Sequence, residues 1–464
     1  MITRKIKLLY NKDPTLWNII FISFAIKMFL VILLFNMKTG HIDQGLYLSD
    51  ARALYFDESA RVMNDEGEVL YTHGIIYPAF LGFFLLVFGD SIFSLVFVRL
   101  FQVILSCFSV YFIYLISKKI FNKKVALICS IIAAFYPVLI AYNLFLITET
   151  FFIFFFLIFV YFFIEYIDSG KTTSLIIASL IIVICCLTRA ISITFVPIVL
   201  LFILYKVIIE KKKRFIELVK HSAVFLTPLL LLVPVMINNY ELTGKPVLDY
   251  TLGHALFWGN HVDYEPSYGW LGNKFHKHRW DIDYATFCDN MTHFDGFVDC
   301  QVRSELKWVR NNPVAFIKRI PLKFAALWNP TSFVGMFYKF GGYKIGGIVL
   351  KNNLTINIIN LIIALSLILV VLFGIFGFVY SPNDKYKFFI LFLIIMINFV
   401  HIMTVSLSRY RLMLIPLIAV YSAYGILNME KIGWNLISIK TLIAVSIMLI
   451  FVICWIPYLH LIFF

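Results

Sequence analysis

The chain has 464 residues, 61% of them hydrophobic and only 14% charged, with a formal net charge of +14 and a mean hydropathy of +0.89. So few charges exclude a soluble globular enzyme, in which about a quarter of residues are charged, and so much apolar surface excludes disorder. The apolar runs are continuous, as at 151–163, which excludes the short alternating segments of an outer-membrane barrel.

In chain order, spans are expected at 16–36, 92–117, 125–142, 148–166, 173–189, 191–208, 221–238, 354–379, 387–405, 412–428 and 441–460. That is an all-α polytopic membrane protein of eleven spans. The first run follows Arg4, Lys5 and Lys7, lacks a small-residue cleavage site and reads as a retained span. Its polar successor, 37–74, holds seven acids and three basic residues and reads as external. The stretch 74–89 carries Pro78 and reads as a helix lying along the bilayer surface. Lys118, Lys119, Lys123, Lys124, the run Lys211–Arg214, Lys385, Lys387 and Lys431 mark the cytoplasmic side. The positive charge is therefore assigned to cytoplasmic loops and lipid headgroups, with no nucleic-acid partner. Three parts follow: 1–238 with its first external loop at 37–91, a hydrophilic external region at 239–350, and the closing spans 351–464.

Charged groups at the bilayer edge are costly, and each is a functional candidate. Four features fall on one face under this topology: the acidic loop around Asp50 and Asp57, Glu149 in Leu146-Ile147-Thr148-Glu149-Thr150, Arg189, and the turn Ser408-Arg409-Tyr410-Arg411. Each has a plainer reading. Arg409 and Arg411 suit a headgroup anchor, Arg189 can snorkel, Glu149 can favour a helix start, and Asp57 with Glu58 suits a solvated helix face. Their shared face favours chemistry: guanidinium forks hold phosphate, and a carboxylate serves as base.

The wording of these segments resembles a known group of enzymes. The carriers are SDARALYFDESARVM at 49–63, GIIYPAFLGFFLLVFGDS at 74–91, RLFQVILSCFSVYFIYLISKKIF at 99–121, AAFYPVLIAYNLFLITETFF at 133–152, CLTRAISITFVP at 186–197, NNYELTGKPV at 238–247 and SRYRLMLIPLIAVYSAYG at 408–425. Together they resemble the GT-C integral-membrane glycosyltransferases, in the branch of the protein O-mannosyltransferases and the lipid A aminoarabinose transferases. That resemblance implies the GT-C fold and transfer of a sugar from a polyprenyl-phosphate or -diphosphate carrier to a glycan, lipid or protein acceptor. It places the reaction on the non-cytoplasmic face of the inner (plasma) membrane, by one inverting displacement. Members usually carry an Asp about four residues before a Tyr in the first external loop; Asp50 stands five before Tyr55, with Asp57 and Glu58 as a second acidic candidate. Ser408 stands where an acid commonly precedes Arg-Tyr, and Pro78 is single where two prolines are usual.

On this basis Asp50 is the expected base, with Asp57 as its alternative and Glu149 as a second acid that orients the acceptor or binds a cation. Arg189, Arg409 and Arg411 are expected on the donor phosphate, and Tyr55, Glu58, Tyr77 and Tyr410 in the substrate cavity. No cofactor is required by the sequence; a divalent cation at the acidic pair stays open through the resemblance. The pattern His276-x-His278, with His254, His261 and His293 near it, lacks a third ligand at useful spacing for zinc. Most cysteines lie in apolar runs. Cys288 and Cys300, eleven residues apart in the external region, are expected to pair. A transporter of lipid-linked sugars and an O-antigen ligase or polymerase are the rival readings. No internal repeat supports the first, and the early acidic loop disfavours the second.

Overall fold

The computed structural model describes residues 13–34, 42–55, 74–210, 215–243, 245–249, 255–256, 259–260, 294–331, 344–345, 348–349, 353–430 and 438–463. Asp57, Glu58, Cys288 and the five histidines at 254, 261, 276, 278 and 293 lie outside them, as does the side chain of Cys300. The helices in chain order are α1 (Pro14–Leu33), α2 (Ile42–Tyr55), α3 (Ile76–Phe88), α4 (Ile92–Ile120), α5 (Lys123–Phe135), α6 (Pro137–Tyr142), α7 (Thr148–Ser169), α8 (Thr172–Thr188) and α9 (Phe195–Leu204). Then come α10 (Phe215–Leu226), α11 (Val233–Thr243), α12 (Phe294–Asn311), α13 (Pro313–Leu327), α14 (Asn353–Tyr380), α15 (Lys385–Met403), α16 (Ile415–Asn428) and α17 (Ile439–Phe463). Two two-residue strands, Lys344–Ile345 and Ile348–Val349, pair antiparallel.

Among the described residues, eight helical segments are long and apolar enough to cross a bilayer. They coincide with eight of the eleven expected spans. The other three differ for identifiable reasons. The run 125–142 is apolar throughout, but Pro137 lacks the N–H that would continue α5, so the chain restarts as α6. The runs near 173–189 and 412–428 form shorter apolar helices, α8 and α16. Two long runs also change pitch. Residues 190–210 pass from a 3-10 turn through α9 into a π turn, and 227–232 form a 3-10 link between α10 and α11.

Helix ends follow local chemistry. Asn122 caps α5 by accepting from the Val125 N–H at 3.1 Å, and Asp384 caps α15 through the Lys387 N–H at 2.8 Å. Gly170 ends α7 in the left-handed region at φ 68°, which lets its N–H reach the Tyr166 carbonyl at 2.7 Å.

Helix α7 is the central post, with 72% of its most apolar window buried. Its Phe152, Phe156, Phe159 and Phe163 stack along one side and meet Phe195 of α9 and Phe389 of α15. Phe side chains at i, i+4, i+7 and i+11 share one helix face, so this stripe builds the core to which both halves of the chain attach. Helices α14 and α16 approach closely: a Cβ on Gly377 would fall 1.9 Å from the Tyr421 carbonyl oxygen, and Ser422 Oγ donates to the Val370 carbonyl at 2.6 Å.

Candidate functional site

The site starts with a break in the membrane helices. Between α6 and α7 the chain runs as a turn, and its carbonyls need partners that a helix would have supplied. Arg99 Nε donates to the Leu144 carbonyl at 2.9 Å, and Gln102 Nε2 donates to the carbonyls of Asn143 (3.1 Å) and Phe145 (2.9 Å). Gln102 Oε1 accepts from the Tyr77 hydroxyl at 2.9 Å. From the other side Gln44 of α2 accepts from the Leu146 N–H at 3.3 Å. These contacts fix where α7 begins, and therefore where Glu149 stands.

Arg189 follows α8 with an extended backbone, φ −146° and ψ 109°. Its Nε donates to Thr148 Oγ1 at 3.0 Å and its Nη2 to Glu149 Oε1 at 2.6 Å. A second pair stands beside the first: Arg409 donates to the Asp43 carboxylate. Tyr410 joins the two. Its ring centroid lies 5.8 Å from the Arg189 guanidinium and 5.1 Å from that of Arg409, within cation–π range. The His401 ring lies on it at 4.4 Å and 9°. The Tyr47 hydroxyl lies in the field of both carboxylates and both guanidiniums, and burial pushes this phenol well up from its ordinary value.

Two carboxylates and two guanidiniums leave this cluster with no net formal charge. Its hydrogen bonding is nonetheless incomplete. Glu149 is 2% exposed, yet Oε2 has no partner among the described residues, and the same is true of His401 Nε2, Tyr142 Oη and Arg409 Nε. Buried polar atoms without partners are rare in folded proteins. Four around one cluster mark a place where a polar ligand would supply the missing bonds.

The expected residues divide here. Glu149, Arg189, Arg409 and Tyr410 converge. Arg411 is separated from them: it is 2% exposed and donates to the Leu327 carbonyl (2.6 Å) and the Thr331 carbonyl (3.5 Å), closing the end of α13. Tyr55 is 41% exposed and lies on Gly82 of α3, where a Cβ would fall 2.2 Å from its ring. Tyr77 is fully buried beneath the cluster, edge-on to Tyr47 at 5.3 Å. Asp50 is buried on the face of α2 that carries Asp43 and Tyr47, about 10 Å along the axis from Asp43. Sequence reasoning passed over Asp43, Tyr47 and His401. The signal for the first two was present: Asp43 stands four residues before Tyr47, the spacing sought at Asp50 and Tyr55.

The described residues contain no group of three His, Cys, Asp or Glu side chains placed to hold a metal. Each carboxylate of the cluster is already matched by a guanidinium. This donor set does not fit a divalent cation, and no step below uses one.

Residues 72–237 match the sequence model of the family described as Dolichyl-phosphate-mannose-protein mannosyltransferase. No curated protein matches the chain. Among solved structures, the apo oligosaccharyltransferase of Archaeoglobus fulgidus is similar over 98% of this chain and 57% of its own, at 14% identity and a TM-score of 0.52. The archaeal oligosaccharyltransferase of the same organism in complex with an inhibitory peptide and a dolichol-phosphate covers 98% of this chain and 56% of its own, at 14% identity and a TM-score of 0.49. The chain thus spans a little over half the length of these relatives. At this identity the likeness is one of fold.

Proposed function

We propose that this multi-pass membrane chain, which has the GT-C fold, is a glycosyltransferase that moves a sugar from a polyprenyl-phosphate carrier to a hydroxyl-bearing acceptor. The single observation that carries this reading is the pair of arginine–carboxylate couples joined by Tyr410, with unpartnered polar atoms around them. The family match over 72–237 supports the donor class. The position of the site supports its face: it lies at the bundle end opposite Lys118, Lys119, Lys123 and Lys385, which mark the cytoplasmic side by the positive-inside rule.

The chemistry follows from what each group can do. The acceptor oxygen attacks the anomeric carbon, and the bond from that carbon to the phosphate oxygen breaks with its electron pair going to the phosphate. Positive charge is needed where this negative charge develops. Arg409 and Arg189 supply it. A phosphate competes with Asp43 for Arg409, so donor binding frees the Asp43 carboxylate to take the acceptor proton. Asp43 replaces Asp50 as the proposed base because it stands in the cluster, and Asp50 stays as a second carboxylate on the same face. Glu149 Oε2 and His401 Nε2 are placed to accept from sugar or acceptor hydroxyls. One direct displacement inverts the anomeric centre.

The test is turnover of dolichyl-phosphate mannose by the purified protein in lipid nanodiscs, read as mannose leaving the carrier. Asp43→Asn is expected to lower it by about 100-fold or more, and Asp50→Asn by less. Full turnover in Asp43→Asn with loss in Asp50→Asn would return the base to Asp50. Movement of donor between leaflets of vesicles, with no sugar released, would favour a transporter.

A further inference from the structure

Helix α15 ends only a few residues before Arg409, and its end is held in an unusual way. The last carbonyls of a helix lack intrahelical donors, and a glycine in the left-handed region commonly meets that need. Here Thr404 closes the helix with φ −110° and ψ −128°. Two of the free carbonyls are met from within the segment: the Thr404 N–H and Oγ1 both donate to Val400, and Ser406 Oγ donates to His401. The next two are met from far away in sequence. Asn260 Nδ2 donates to the Met403 carbonyl at 2.9 Å, and Lys323 Nζ donates to the Thr404 carbonyl at 3.0 Å.

These two side chains also hold each other. Lys323 donates to Asn260 Oδ1, and Arg319 donates to the Asn260 carbonyl. Asn260 Nδ2 also donates to the Leu256 carbonyl at 2.9 Å. The backbone at 259–260 presses onto the same point, since a Cβ on Gly259 would fall 1.9 Å from the Thr404 carbonyl oxygen. Asn260 and Lys323 are both essentially buried. A buried ammonium at a helix C-terminus is favoured there by the macrodipole, and it earns no such place in a loop that merely needs covering.

We propose that Lys323 and Asn260 are positioning residues for the donor phosphate: by capping α15 from the 239–350 region, they set the direction in which the 404–409 turn presents Arg409. The region between α11 and α14 then has a task in the reaction without contributing a group that touches the donor. This rests on the reading of Arg409 as a phosphate ligand.

The test measures affinity for dolichyl phosphate in nanodiscs, together with the unfolding midpoint of each variant. Lys323→Met is expected to weaken binding about 10-fold, the worth of one charge-assisted hydrogen bond. Lys323→Arg, which keeps a cation at the helix end, is expected to recover most of that loss. Arg409→Lys is expected to weaken binding by itself, and adding Lys323→Met to it should cost little more, because both act through one guanidinium. Wild-type affinity in Lys323→Met, or losses that simply add, overturns the proposal while leaving the phosphate reading intact. Wild-type affinity in Arg409→Lys removes the phosphate reading and this inference with it. Should Lys323→Met not fold, Asn260→Ala removes the neighbouring cap on Met403 and is read by the same criteria.

Discussion

Two arginines separated by one residue are expected to behave differently. Arg409 faces the cluster through Asp43 and Tyr410, whereas Arg411 is spent on the carbonyls of Leu327 and Thr331. Lysine keeps the charge and loses the planar fork. Arg409→Lys should therefore weaken dolichyl phosphate binding with little change in the unfolding midpoint. Arg411→Lys should leave donor affinity near wild type and destabilise the protein by roughly 1–3 kcal/mol, because a buried carbonyl loses its donor. A reversed pattern, with Arg411→Lys losing donor and Arg409→Lys losing stability, would exchange their roles. At this scale the sequence was partly legible. Glu149, Arg189 and Arg409 stood out as charges at the ends of apolar runs, where each ion is conspicuous. Asp43 did not, because it is one of seven acids in a polar loop. His401 did not, because it lies within an apolar run and only the fold lays it on Tyr410.

Helices α12 and α13 carry a pH-sensitive pair. Burial pushes the Glu305 carboxyl up to about 7, against the pull of Lys323 and Arg319. Burial pulls the Lys323 ammonium down to about 7; Arg319 adds to this and Glu305 opposes it. The signs are opposite. From about pH 4.5 to 7 the folded state holds more protons at Glu305 than the unfolded chain, so this group makes stability fall as pH rises. From about pH 7 to 10.5 the folded state holds fewer protons at Lys323, so that group makes stability rise. Thermal unfolding across pH 5 to 9 should therefore show these two contributions at their least favourable near pH 7. Glu305→Gln should flatten the acid limb and Lys323→Met the alkaline one; unchanged limbs in both variants would remove the assignment. Elements were legible wherever hydropathy and hydrogen bonding agree, as in α4, α7 and α14. They were not at 125–142, where the run stays apolar while Pro137 interrupts the ladder. The capping of α15 by Asn260 and Lys323 was invisible in sequence, since those contacts span 143 and 81 residues.

The whole molecule is a bundle tied at both ends. Opposite the site, Asp13 accepts from Tyr114, Lys118 and Lys123, while Lys119 bridges Glu165 (2.6 Å) and Asp168 (3.0 Å). Tyr386 of α15 also donates to Asp168 at 2.8 Å, which joins the later helices to α4 and α7. The bundle itself depends on close approach in bilayer, where small residues let backbones meet. Gly377→Val would drive its side chain into the α16 backbone at Tyr421. It is expected to cost about 3 kcal/mol or more and to lower the unfolding midpoint before any effect on chemistry. A midpoint equal to wild type would show that α14 and α16 do not meet there.

The central claim is that Arg409 exchanges Asp43 for the phosphate of a lipid carrier. A cryo-electron microscopy map of the protein in nanodiscs with dolichyl phosphate tests this directly. The expected result is phosphate density within hydrogen-bond distance of Arg409 and Arg189, with the Asp43 carboxylate released from Arg409. Phosphate bound elsewhere, or bound with the Asp43–Arg409 pair intact, would contradict it.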